Sequence, residues 1–216
     1  HATTNIARMW LGRIREGQEQ WRSAVAAFQG VTPDHRDFPQ AVAATGRCWL
    51  SWLREQKTAG QDTKAAANTA AQYFETLVIG PEQKWPERWT PAQRTAALLA
   101  AQVRLDFAED PFAPAETMLN AALHYCADAP DAWQDEVQTM LIVALAGQPD
   151  KRVQARRLLE KLESGSTDRL LDLISALSTL ATQSQRDVRD DLAVLQLEAL
   201  TKLEQEDGPL DENTRK

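Results

Sequence analysis

Residues 11–28 read LGRIREGQEQWRSAVAAF. Two helix-forming segments flank the polar run Gly17-Gln18-Glu19-Gln20, where glycine stops the first helix and the turn residues follow. Leu11 and Gly12 lie in the first segment. In the second, Ala24 is followed one turn later by Phe28. A small residue on one helix lets the backbone of its partner approach, and a large residue one turn away fills the space beside it. So short a connection makes the two helices antiparallel neighbours. The stretch predicts a helix hairpin, with helices over about residues 4–17 and 20–29.

The same small-then-large step recurs along the chain at Ala70/Phe74, Ala115/Leu119, Ala155/Leu159 and Ala193/Leu197, and Gly46 stands in a later first helix as Gly12 does in the first. Between these places the sequence is punctuated by helix starts and stops. Gly30-Val31-Thr32-Pro33, Thr58-Ala59-Gly60, Gly80-Pro81, Gly147, Ser164-Gly165 and Gly208-Pro209 are stops. Asp62, Thr90-Pro91, Asp110-Pro111, Pro130-Asp131, Pro149-Asp150 and Ser166-Thr167 are starts, where a side-chain oxygen caps a free N–H or proline's missing donor costs nothing. Leu170, Leu173, Ile174, Leu177, Leu180 and Ala181 paint one stripe at three-four spacing, and no stretch alternates in the manner of a strand. About ten helices result, and five antiparallel hairpins. None hides its apolar face alone, so the hairpins must stack. The link over 80–90, with Trp85 and Trp89, is the one long connection. It is the place where the stack would divide into two lobes, and its tryptophans are expected to pack back on the body.

On Leu11-Gly12, Ala24, Phe28, the prolines Pro33 and Pro39, and then Gly46, Ala70 and Phe74, the chain resembles the tetratricopeptide repeat family. The resemblance covers the motif over about residues 5–74 and the architecture over about 4–206. Arg8 stands where the family places an aromatic residue, and the spacing of later repeats is unequal, so that a HEAT-like or Sel1-like stack is the alternative. The resemblance implies an all-α, right-handed solenoid over residues 1–206, followed by a polar tail over 207–216. It also implies a concave groove lined by the first helix of each pair, which receives a peptide segment or a partner domain.

The resemblance further implies that the residue after the small packing residue of each first helix turns to the groove. This selects Arg13, Arg47 and, by aligning on Ala115, Arg104. A guanidinium offers paired donors to a carboxylate, so the partner expected is a protein with an acidic segment or a C-terminal carboxylate. The competing reading pairs these arginines internally with Glu16, Glu55 or Asp106. The lysine and asparagine pattern of the family's chaperone-tail clamp is lacking at Ile6, Met9, Arg13 and Glu16 and at Gln40, Ala43, Arg47 and Leu50. Trp10, Trp21, Trp49 and Trp52 are expected in the core at their helical spacing, and any that faces outward would be a binding anchor.

Composition narrows the function classes. The 216 residues are 43% hydrophobic and 25% charged, with a net charge of -7, which opposes a broad nucleic-acid surface. No apolar run reaches the ~20 residues of a membrane span. Cys48 and Cys126 form neither a disulfide framework nor a zinc motif. Three histidines (His1, His35, His124) face no evident nucleophile, and no glycine-rich phosphate loop occurs. No cofactor or metal is expected. Asp190-Asp191 and Asp128/Asp131 are paired carboxylates by spacing alone. The function expected is therefore a non-catalytic protein-interaction scaffold. Self-assembly through an exposed terminal hairpin is the alternative, and an enzyme with facing carboxylates on a helical array the second. His1-Ala2 opens without methionine and reads as a cut point. With its Ala/Gln/Arg/Asp-rich composition, the chain reads as a soluble piece of a longer bacterial protein, cytoplasmic or periplasmic.

Overall fold

A computed structural model of the chain describes residues 2–80, 82–162, 167–183 and 186–207. They form ten α-helices: α1 (Ala2–Gly17), α2 (Trp21–Gln29), α3 (Phe38–Thr58), α4 (Lys64–Ile79), α5 (Pro91–Phe107), α6 (Phe112–Tyr125), α7 (Asp131–Ala146), α8 (Arg152–Lys161), α9 (Thr167–Gln183) and α10 (Arg186–Asp207). A single 3-10 turn, Pro149–Lys151, leads into α8, and no strand occurs among the described residues. None of the described helices is long and apolar enough to cross a membrane. The expected punctuation at Ser164-Gly165, Ser166 and Gly208-Pro209, and the tail beyond, lies outside the described residues.

The helix starts follow from local chemistry. Thr90 and Gln93 form a reciprocal cap on α5. The Gln93 N–H donates to Thr90 Oγ1 at 3.3 Å, the Thr90 N–H donates to Gln93 Oε1 at 2.9 Å, and Pro91 occupies the first turn. At α4 the capping position belongs to Thr63 rather than to the expected Asp62, yet Asp62 Oδ1 still accepts from the Lys64 N–H at 3.0 Å. Gly80 ends α4 at φ 65°, a left-handed conformation that glycine enters without a Cβ penalty.

The chain divides into two compact units, residues 1–126 and 127–216. In the first, α1 packs on α2, α2 on α3, α3 on α5, and α5 on both α4 and α6. Buried alanines on α4 (Ala67, Ala70, Ala71) and α5 (Ala96, Ala97, Ala100, Ala101) allow the most extensive helix contact among the described residues. The expected hairpin of α3 with α4 is correspondingly slight, because the small-residue face of α4 is spent on α5. The 80–90 link lies inside this unit. Trp85 and Trp89 stack on each other at 5.8 Å and on Tyr125 at 6.4 and 6.2 Å, which folds the link back against the end of α6.

Small-against-large packing is visible directly. A Cβ added at Gly12 would lie 2.4 Å from the Phe28 ring, and one at Gly46 would lie 2.3 Å from Leu99. The alignment of Gly46 with Leu99 and the bond from Lys57 Nζ to the Asp106 carbonyl at 3.1 Å ascend together, so α3 and α5 run parallel.

In the second unit α7 packs on α8 and α9 on α10, with α7 also against α9 and α8 against α10. Arg152 reaches Asp191 at 2.7 Å, Arg156 Nε reaches Glu198 at 2.7 Å, and Lys202 donates to the Leu159 carbonyl at 3.3 Å and to that of Leu162. These positions also ascend together, so α8 and α10 are parallel. Lys202 thereby donates to carbonyls at the end of α8, adding to the bond that the Leu162 N–H makes to Leu159.

Four of the five expected small-then-large pairs are buried: Ala24/Phe28, Ala70/Phe74, Ala115/Leu119 and Ala155/Leu159. The fifth is corrected. Ala193 and Leu197 face outward, Leu197 being 62% exposed, and the core stripe of α10 is Leu192, Leu195, Ala199 and Leu203. The same step is carried there by Ala199 and Leu203.

Two predictions follow from this packing. Gly12→Ala gains ~1 kcal/mol of helix propensity but overpacks a buried ring at ~1–3 kcal/mol. Urea unfolding should therefore show a net loss, which Phe28→Leu in the same chain partly restores. Gly17→Ala, with nothing within 4 Å, should be neutral or stabilising by up to ~1 kcal/mol. Burial pushes the Cys48 thiol up to about 12, with Glu16 adding to the effect, and Cys126 is also buried. A thiol reagent at pH 8 should leave both untouched in the native chain and label two on denaturation.

Candidate docking face on the first helix

α1 carries apolar residues on two sides. Its inward side carries Asn5, Met9 and Gly12, all buried. Asn5 Nδ2 donates to Thr32 Oγ1 at 2.8 Å, while its Oδ1 accepts from the Thr32 N–H at 3.3 Å, so the buried amide is satisfied by the turn after α2. Gly12 takes the Phe28 ring. The large side chains point the other way. Ile6, Trp10 and Ile14, one turn apart, are exposed together with Leu11, and Trp10 is 60% exposed. They form a continuous stripe on one helix face.

Charge borders this stripe. The Arg13 guanidinium lies 5.6 Å from the Trp10 ring centroid, a cation–π contact within one turn of the helix. Glu16, one turn beyond Arg13, accepts from Arg47 Nε of α3 at 3.1 Å. The Arg47 side chain is 61% exposed and so remains open to water and to a ligand.

Arg104 is placed differently from its two sequence equivalents. Its Nε and Nη2 grip the Glu75 carboxylate at 2.8 and 3.0 Å, and its Nη1 donates to Asn68 Oδ1 at 3.0 Å. With a side chain only 15% exposed, this fork holds α5 to α4 and offers little accessible guanidinium to an incoming carboxylate. Arg13 thus lies against Trp10, Arg47 is held by Glu16, and Arg104 is committed to the α4–α5 seam. Of the internal partners weighed for these arginines, Glu16 is used; Glu55 instead accepts from Trp21 Nε1 at 3.0 Å.

The tryptophans divide similarly. Trp49 is buried, and Trp52 meets it edge to face at 5.8 Å. Arg22 lies 4.8 Å from both rings. Trp10 leaves the core altogether. Helical spacing alone, which put Trp10 in the core, missed this, because Met9 is inward while Ile6 and Ile14 are outward. The signal available was Asn5 and Gly12 at buried spacing, which leaves the large residues for the opposite side. Asp191, one of the paired carboxylates, is taken by Arg152.

No family model matches the chain, and no curated protein or solved structure is similar to it.

The contrast between the arginines is measurable. Arg104→Ala strands a half-buried carboxylate and should cost ~2–4 kcal/mol in urea unfolding. Arg47→Ala, an exposed pair, should stay within ~1 kcal/mol.

Proposed function

We propose that the chain is a protein-interaction module: a tetratricopeptide-like, right-handed stack of helix hairpins that holds a segment of another polypeptide on its first helix and carries out no catalysis. The observation that carries this reading is the outward stripe Ile6, Trp10 and Ile14 with Trp10 mostly in water. A stripe of large apolar side chains left unpartnered is costly in solution and marks an interaction surface, and tryptophan is the residue type that most often anchors one.

Arg13 and Arg47 supply the second element. Arg13 sits beside the stripe, against Trp10, while Arg47 pairs with Glu16 of α1; a guanidinium there favours a segment whose apolar side chains are flanked by carboxylates, read by charge-assisted hydrogen bonds. The stacked architecture is supported by the parallel courses of α3 with α5 and of α8 with α10. In a stack, equivalent helices of successive hairpins lie side by side, whereas in an up-and-down four-helix bundle they lie on opposite corners.

Self-association is a second reading with its own support, because α10 carries another outward apolar pair, Val194 and Leu197.

A photo-crosslinking amino acid placed at position 10 in the cells that make the protein tests the docking reading. Irradiation should give a discrete adduct with a protein, and the adduct should weaken when Arg13 and Arg47 are both changed to Glu. The same probe at exposed Gln61 should give none. Failure to capture any protein at position 10, or capture of the same species at both positions, would remove α1 as the contact face.

A further inference from the structure

We infer that the segment received by the α1 face is α10 of a second copy of this chain, an identification that rests on the docking reading above. The two helices offer exposed apolar stripes that carry charges of opposite sign. On α10, Asp190, Val194, Leu197 and Thr201 are all exposed and follow one another at three-four spacing, a stripe about one turn longer than that of Ile6, Trp10 and Ile14. Antiparallel docking that sets Val194 against Trp10 brings Leu197 to Ile6 and Asp190 to Arg13 and Ile14, since each step is three or four residues along a helix rising ~1.5 Å per residue.

The charge balance of the two helices is opposite. α1 carries Arg8, Arg13 and Arg15 against Glu16, inside a chain whose net charge is -7. Among its described side chains α10 carries Asp190, Asp191, Glu198 and Glu204 against Arg189 and Lys202, and since Arg152 and Arg156 already pair with Asp191 and Glu198, Asp190 is the acid on its outward stripe. Docking α1 on a second α1 would instead bring two basic helices together and leave the outward face of α10 uncovered. The pairing of unlike helices covers both exposed stripes and sets Asp190 against Arg13.

Such a contact is heterologous. Each copy offers one α1 face and one α10 face, so association continues into chains or closes into a ring. A single pair of helix faces buries less than about 1,200 Å², which corresponds to weak, concentration-dependent association.

The test is a complementation of two variants of the full chain in sedimentation velocity, at protein concentrations from about 10 μM to about 500 μM, spanning weak affinities. Wild type should grow in mass with concentration. Trp10→Asp and Leu197→Asp, both at exposed positions and checked by circular dichroism for native helicity, should each lose that growth alone. Mixed in equal amounts they should form a two-chain species and stop there, because one intact α1 face meets one intact α10 face. Arg13→Asp and Asp190→Arg should each weaken wild-type association at least tenfold, and together in one chain they should restore it. A wild type that stays at one chain throughout overturns the inference, as do variants that associate like wild type. Loss on Trp10→Asp that mixing does not repair also overturns it and points to α1 on α1. An adduct at position 10 with a different protein would keep the docking reading while this partner fails, so the two fail separately.

Discussion

The close approach of helix backbones over small residues governs this molecule. Gly12 has no room for a methyl group against Phe28, nor Gly46 against Leu99, and the alanines of α4 and α5 extend the same rule along a whole helix pair. Packing of this kind is efficient because dispersion contacts are lost quickly with distance. It also has an effect on the outside. A helix that is narrow on its inward side cannot bury its large side chains there. On α1 the inward positions go to Asn5, Met9 and Gly12, and Ile6, Trp10 and Ile14 are turned to water. The candidate docking face is thus the reverse side of the core.

Where apolar contact is slender, arginine takes over. The meeting of α8 with α10 is held by Arg152 on Asp191 and Arg156 on Glu198, and Lys202 closes the end of α8. Between α4 and α5, where the apolar contact is already extensive, Arg104 adds a two-pronged grip on Glu75. The planar guanidinium favours a single relative placement of two helices, which a point charge such as lysine specifies less sharply. Several basic side chains of this acidic chain are consequently spent on internal register, while Arg13 and Arg47 keep exposed guanidinium groups.

Helices were the most legible part of the sequence, since glycine, proline and capping residues act locally. Thr90-Pro91 opens α5 as read, and all ten helices fall close to their expected places. Pairing was less legible because it depends on faces. Leucine and alanine occur on several faces of α10, so Ala193/Leu197 and Ala199/Leu203 carry the same motif, and only burial separates them. The weakness of the α3–α4 pair had no sequence signal, as it follows from α4 preferring α5. Arg104 was selected by its offset from Ala115, but its fate was decided by Glu75 and Asn68, far away along the chain. Trp10 was placed in the core by its helical spacing, when two stripes of opposite direction share that helix.

Every substantial helix contact among the described residues joins elements that are next to each other in the chain or next but one. Order of synthesis therefore matches order of assembly. Once α1, α2 and α3 have left the ribosome, their mutual contacts are complete, and nothing encoded far downstream is needed to begin burying Phe28 and Leu53. Local contacts shorten the search for the native state, and domains formed from the N-terminus spend less time with apolar surface uncovered. The nascent chain is thus shielded stepwise as it grows, while the tryptophan of α1 stays outside from the first turn onward.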